Sequence, residues 1–141
     1  MVGILIITHG QLANEIRKSA ELIVGKLDNC ESISIRPDED MDEAKSRIGT
    51  SLRKLNDGDG VLILTDLFGG TPSNLSLTFL EDGQVEVLSG VNLPMLLALA
   101  TGRDDKTLNA LAQKAQDAGQ KNITLASKIL NGNASSRKKG N

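Results

Sequence analysis

The sequence has no tryptophan or tyrosine, only two phenylalanines and a single cysteine. Two phenylalanines alone argue against a stacking platform for single-stranded nucleic acid. A net charge of −2 gives no electrostatic reason to seek a phosphate backbone either. No nucleic-acid partner is expected. Cys30 cannot close an internal disulfide, which suits a reducing compartment, and at the start of a predicted strand it reads as a small buried hydrophobe. No apolar run approaches the ~20 residues that a membrane helix needs. The opening MVGILIITHG is too short for a secretion signal. The expectation is therefore a cytoplasmic protein, in which the Asn-x-Ser/Thr triplets at Asn74, Asn122 and Asn133 carry no glycan.

What is present is aliphatic. At 141 residues and 39% hydrophobic, the chain is one domain with a sizeable core. Val2 to Ile7 and Val61 to Leu64 are unbroken, β-branched apolar runs, the mark of strands buried on both faces. Ile33 and Ile35 alternate with Ser32 and Ser34 in a half-buried strand, and Val85 to Leu88 make a fourth. Between them lie helical stripes: Leu12, Ile16, Ala20, Ile23 and Leu27, then Met41, Ala44, Ile48, Leu52 and Leu55. A later one, Leu108, Leu111, Ala115 and Ala118, is predicted to start at Asp104-Asp105 and stop at Gly119. Ile123 to Ala126 reads as a short last strand, and 131–141 as a disordered polar tail behind a domain of residues 1–130.

Strands alternating with helices give an α/β fold: a three-layer sandwich around a doubly wound, mostly parallel sheet. Right-handed crossovers leave few windings, and the most economical sets the first and third strands side by side. A crevice then opens beyond their carboxyl ends. His9, the only histidine, ends the first strand, and Asp66 ends the third. Gly69 and Gly70 follow, then Thr71-Pro72, which reads as an N-cap with proline at the first helical position. Strand, acid, glycine pair and helix N-terminus make the layout of an anion site.

The residue types narrow the chemistry. No second histidine or nearby cysteine supports a transition-metal cage, and no metal or cofactor is expected. One carboxylate does not make a glycosidase pair. The glycine pair lacks the lysine of a nucleotide-binding phosphate loop. An imidazole nucleophile with backbone N–H groups nearby favours phosphoryl transfer through a phosphohistidine. Asp66 is better placed on the ring N–H than against the phosphoryl group, because two like unit charges ~4 Å apart repel by about 4 kcal/mol at an effective dielectric of 20. Gly69, Gly70 and Thr71 then hold the phosphoryl oxygens.

At these residues the chain resembles a known family. The ITHG start, the TDLFGGTPSN centre and the GVNLPML segment (Gly90 to Leu96), in that order and spacing, are similar to the enzyme IIA component of the mannose family of the bacterial sugar phosphotransferase system (PTS). The similarity runs from Met1 to about Ala126. It implies that His9 accepts a phosphoryl group from the carrier protein HPr and passes it to a IIB component, here a separate chain, with IIC and IID in the membrane beyond. It implies Asp66 as the partner of His9, Thr71 as the hydroxyl residue before proline, and a homodimer that exchanges the last strand. Leu12, Leu67, Phe68, Val91 and Asn92 are the expected rim for protein partners, although Asn92 and Pro94 also suit a plain loop and helix start. Two other functions stay open: a regulatory phosphoprotein whose His9 state switches a target, and a phosphate receptor that uses only the glycine loop.

Overall fold

The computed structural model describes residues 1–139, with side chains through residue 132. The chain runs β1 (Gly3–His9), α1 (Leu12–Val24), β2 (Cys30–Ile35), α2 (Met41–Leu55), β3 (Val61–Thr65) and α3 (Thr71–Leu77). It continues through β4 (Val85–Ser89), α4 (Leu93–Leu99), α5 (Leu108–Lys121) and α6 (Ala126–Lys139). The four strands pair in parallel in the order β2-β1-β3-β4. The two unbroken apolar runs thus take the central places, where both faces are covered. Ile4, Ile6, Leu62 and Leu64 meet α1, α4 and α5 on one side, against Ala20, Leu96, Leu99 and Leu111. Leu5, Ile7, Val61 and Ile63 meet Ala44, Ile48 and Leu52 of α2 on the other. Each such side chain contributes about 1.5–3 kcal/mol by leaving water. The three-layer α/β sandwich is the one the sequence predicts.

The winding reverses between β1 and β3, which are aligned Gly3↔Val61 through Ile7↔Thr65. The crevice beyond their carboxyl ends is therefore set by the register of two hydrophobic strands, and a one-residue slip would swap side chains between the two differently shaped core faces.

Several local expectations are corrected. Helix α1 buries Ala13 and Ala20 fully, whereas Leu12 and Ile23 of its predicted stripe are 47% and 61% exposed. The two alanines let the helix lie close to the sheet, with Ile16 of the stripe packed beside them. Helix α5 is capped by Thr107, whose side chain accepts a hydrogen bond from the Ala110 N–H, rather than by Asp104-Asp105. Gly119 lies inside that helix, not at its end: a Cβ there would come within 2.6 Å of the Met95 side chain, so this glycine admits α4. Helix α3 is capped by Gly70, one residue earlier than the predicted Thr71, and holds Thr71 and Pro72 in its first turn.

No fifth strand forms among the described residues. Ile123 and Leu125 are exposed, and α6 begins at Ala126. A strand needs a neighbour for its N–H and C=O groups, and within one chain this segment has none. The expected polar tail is helical through Lys139, in a segment free of proline, and residues 140–141 lie outside the described residues.

Candidate functional site

His9 closes β1 and projects into the crevice with its side chain 51% exposed. Gly10 follows in the left-handed region, at φ +54°, and turns the chain away from the sheet. Thr8, fully buried, accepts a hydrogen bond from the Ala13 N–H at 2.8 Å and so fixes the start of α1 behind the histidine.

Asp66 follows the last residue of β3, and its side chain is 11% exposed. Its Oδ2 lies 2.7 Å from His9 Nδ1 and also accepts the His9 backbone N–H at 3.0 Å. Its Oδ1 accepts the Leu67 N–H at 3.0 Å. The carboxylate is held in place by the ends of both central strands. Burial acts to raise its pKa, but hydrogen bonds from the His9 ring and backbone, the charge of His9 and the Leu67 N–H outweigh it, and the net shift is downward. An ionised carboxylate can only accept, so Nδ1 is the nitrogen that donates to Asp66.

The glycine loop lies against that second nitrogen. A Cβ built on Gly70 would fall 2.7 Å from His9 Cε1 and 3.2 Å from Nε2, so only glycine fits between ring and loop. Gly69 is glycine for another reason: its φ of +102° strains any other residue, although the space around it is open. Among the described residues, the N–H groups of Gly69, Gly70 and Thr71 and the Thr71 hydroxyl have no hydrogen-bond partner. Asn74 holds the loop in this shape through its N–H to the Gly70 carbonyl at 2.8 Å and its side-chain amide to the Gly69 carbonyl at 3.4 Å. Gly70 thus packs against the imidazole, and Thr71 lines a cavity with His9.

The expected rim divides. Leu12, Leu67 and Phe68 are 47%, 51% and 73% exposed around the crevice mouth. Val91 is half-buried against the core, and its N–H donates to the Thr65 carbonyl, tying the β4–α4 loop to β3. Asn92 is engaged within the loop: its Oδ1 accepts the Met95 N–H at 3.1 Å, and its amide donates to the Gly119 carbonyl at 3.1 Å. The structure also brings in residues the sequence reading passed over. Thr71 and His9 share a cavity of about 220 Å³ with Gly10, Ile35, Arg36, Pro37 and Met41. The signal for Ile35 and Arg36 was the strand ending before Pro37, whose pairing with β1 only the register shows. Thr8 and Asn74 carried no signal beyond their place in the motifs. Among the described residues no three histidine, cysteine, aspartate or glutamate side chains group as a metal site.

Residues 3–116 match the family described as PTS system fructose IIA component. The mannose-specific EIIAB component of Escherichia coli is 33% identical over 124 residues; they cover 86% of this chain and 38% of that relative, so the chain spans less than half of its length. The fructose-specific EIIA component of Bacillus subtilis is 28% identical over 131 residues, 92% of this chain and 90% of that one. A phosphotransferase system component EIIA from Streptococcus agalactiae superposes with a TM-score of 0.82 at 29% identity, covering 91% of this chain and 99% of the other. The mannose/sorbose-specific IIA subunit of Enterococcus faecalis gives a TM-score of 0.78 at 26% identity, covering 88% and 93%.

Proposed function

This chain belongs to the PTS fructose/mannose IIA family, whose role is sugar phosphotransfer, and from that premise we propose that His9 is its phosphoryl carrier. The observation that supports this is the pinning of Nδ1 by Asp66, which leaves Nε2 free beside the unpartnered amides of Gly69, Gly70 and Thr71. The Nε2 lone pair attacks the phosphorus of the donor phosphohistidine on HPr. As the new N–P bond forms, the bond to the donor nitrogen breaks. That nitrogen keeps the electron pair, and the donor ring, protonated on its other nitrogen, leaves as neutral imidazole. The proton stays on His9 Nδ1, hydrogen-bonded to the ionised Asp66 carboxylate, which balances the positive charge the ring gains. The loop amides and the Thr71 hydroxyl bind the three phosphoryl oxygens as charge spreads over them. Transfer onward to a separate IIB component runs the same steps in reverse, and Leu12, Leu67 and Phe68 are the apolar rim that both protein partners cover.

The same reading places the chain in the cytoplasm, where its donor is found; no helix among the described residues is long and apolar enough to cross a membrane. It also makes the protein a homodimer. Among the described residues no strand pairs with the outer edge of β4 beyond the single Glu81–Val85 bridge, and beside it Glu86, Val87, Leu88, Asn109, Ala112, Gln113 and Gln116 line a groove of about 370 Å³. The segment around Ile123–Ala126, with Ile123 and Leu125 exposed, is the strand a second subunit would lay along that edge.

Incubation with phosphorylated HPr tests the carrier. An acid-labile, alkali-stable phosphate is expected on the wild-type chain and absent from His9→Ala. Labelling of His9→Ala at the wild-type rate overturns the assignment.

A further inference from the structure

A phosphoryl group on His9 brings about two negative charges to a site that already holds the Asp66 carboxylate. Amides and one hydroxyl offer dipoles but no full positive charge. The cavity shared by His9 and Thr71 has one cationic side chain in its lining, Arg36. Strand pairing puts it there: His9 is aligned with Ile35, the Gly10 N–H donates to the Ile35 carbonyl at 3.1 Å, and Arg36 is the next residue. Pro37 follows and, with Met41 from the first turn of α2, gives the cavity an apolar wall.

The neighbouring acids do not occupy the Arg36 guanidinium. Glu39 is buried, and its Oε1 pairs with Arg47 while its Oε2 accepts the backbone N–H of Arg36 at 3.3 Å. Asp40 caps α2 by accepting the Asp42 N–H. Asp38 is exposed, and among the described residues neither it nor any other carboxylate lies within ion-pair distance of Arg36. The buried Glu39–Arg47 pair fixes the backbone of the β2–α2 turn, and Arg36 lines the cavity with no acid paired to its guanidinium among the described residues.

We propose that Arg36 supplies the guanidinium that grips the oxygens of a phosphoryl group on His9 Nε2. The inference rests on His9 being the carrier and adds to it a charged ligand from the β2–α2 turn. Two guanidinium N–H donors match two phosphoryl oxygens side by side, which an ammonium does not. The grip stabilises the phosphorylated state more than the free one, so Arg36 shifts the position of the transfer equilibrium as well as its rate.

The test compares wild type, Arg36→Ala, Arg36→Lys and His9→Ala with two donors, phosphorylated HPr and phosphoramidate, which has no protein surface. Arg36→Ala is expected to lower the phosphorylated fraction at equilibrium with HPr by about five- to tenfold, the size of one charge-assisted contact at a half-exposed site. It is also expected to slow labelling by phosphoramidate by a similar factor, with Arg36→Lys between it and wild type. Arg36 is exposed and bonds only through its backbone, so its variants should unfold at the wild-type temperature. Two results overturn the proposal while His9 still labels: an unchanged equilibrium in Arg36→Ala, or a loss seen with HPr and not with phosphoramidate, which makes Arg36 a docking charge. Labelling of His9→Ala instead sinks the carrier assignment itself.

Discussion

Replacing Gly70 with alanine separates catalysis from stability more cleanly than replacing any charged residue of the site. The new methyl group would sit 2.7 Å from His9 Cε1, where ordinary contact begins at 3.4 Å, so the ring must retreat by the difference, about 0.7 Å. It cannot retreat that far and keep a 2.7 Å hydrogen bond to Asp66 in line. Misplacing a reacting group by about 1 Å costs on the order of 10²-fold in rate, so a loss of roughly 10- to 100-fold is expected. Stability should hardly change. The Gly70 φ of −86° suits alanine, and the lower entropy of the unfolded chain contributes about 0.4–1 kcal/mol in favour of the variant, against a push on a ring that is half in solvent. Gly69→Ala is the complementary control: at φ +102° with open space around it, it should cost about 1–2 kcal/mol of stability with no clash at the ring. The assay is stopped-time labelling from phosphorylated HPr beside urea unfolding of the same preparations. If Gly70→Ala is labelled as fast as wild type, the loop does not lie against Nε2 and the proposed oxyanion cradle is wrong.

Asp66→Asn should fold, but it lacks the acceptor charge that fixes the tautomer, so labelling is expected to fall by about 10²-fold or more, as read from initial rates. The depressed pKa of Asp66 means that its contribution to stability is complete above the ordinary aspartate value of about 3.9 and fades as pH falls through the lower folded value. Urea midpoints below pH 4 should accordingly converge for wild type and Asp66→Asn. Burial pushes the Cys30 thiol up to about 11, against the opposing charges of Arg17 and Arg103. Iodoacetamide at pH 8 should leave the native protein unmodified and react after unfolding. Because the folded value is raised, this burial favours folding below the free-thiol pKa of about 8.5 and loses that effect as pH climbs toward 11. Leu64→Ala, at a fully buried central position, should cost about 2–5 kcal/mol in urea unfolding and leave the His9 site chemistry intact.

Local pattern was enough for much of this molecule. Two unbroken apolar runs have only one comfortable home, the middle of a sheet covered on both faces, and that alone put the residues ending them at a shared crevice. His9, Asp66 and the glycine pair were legible because each breaks the pattern around it: a lone imidazole, an acid just past the end of an aliphatic run, two residues without side chains. Helix phase was less legible. Of the stripe from Leu12 to Leu27, Ile16, Ala20 and Leu27 meet the core, but Leu12 and Ile23 are exposed and Ala13 is buried in their stead. Gly119 looked like a stop signal and is a notch for Met95.

What the chain determined by itself is the order of its elements and the chemistry standing at their ends, since both follow from interactions a few residues long. Only the tertiary structure decided which ring nitrogen of His9 is held, that Gly70 must lack a side chain, and that Arg36 joins the cavity. Those three facts depend on the register between parallel strands that are neighbours in space but far apart in the chain, and no local rule carries that distance.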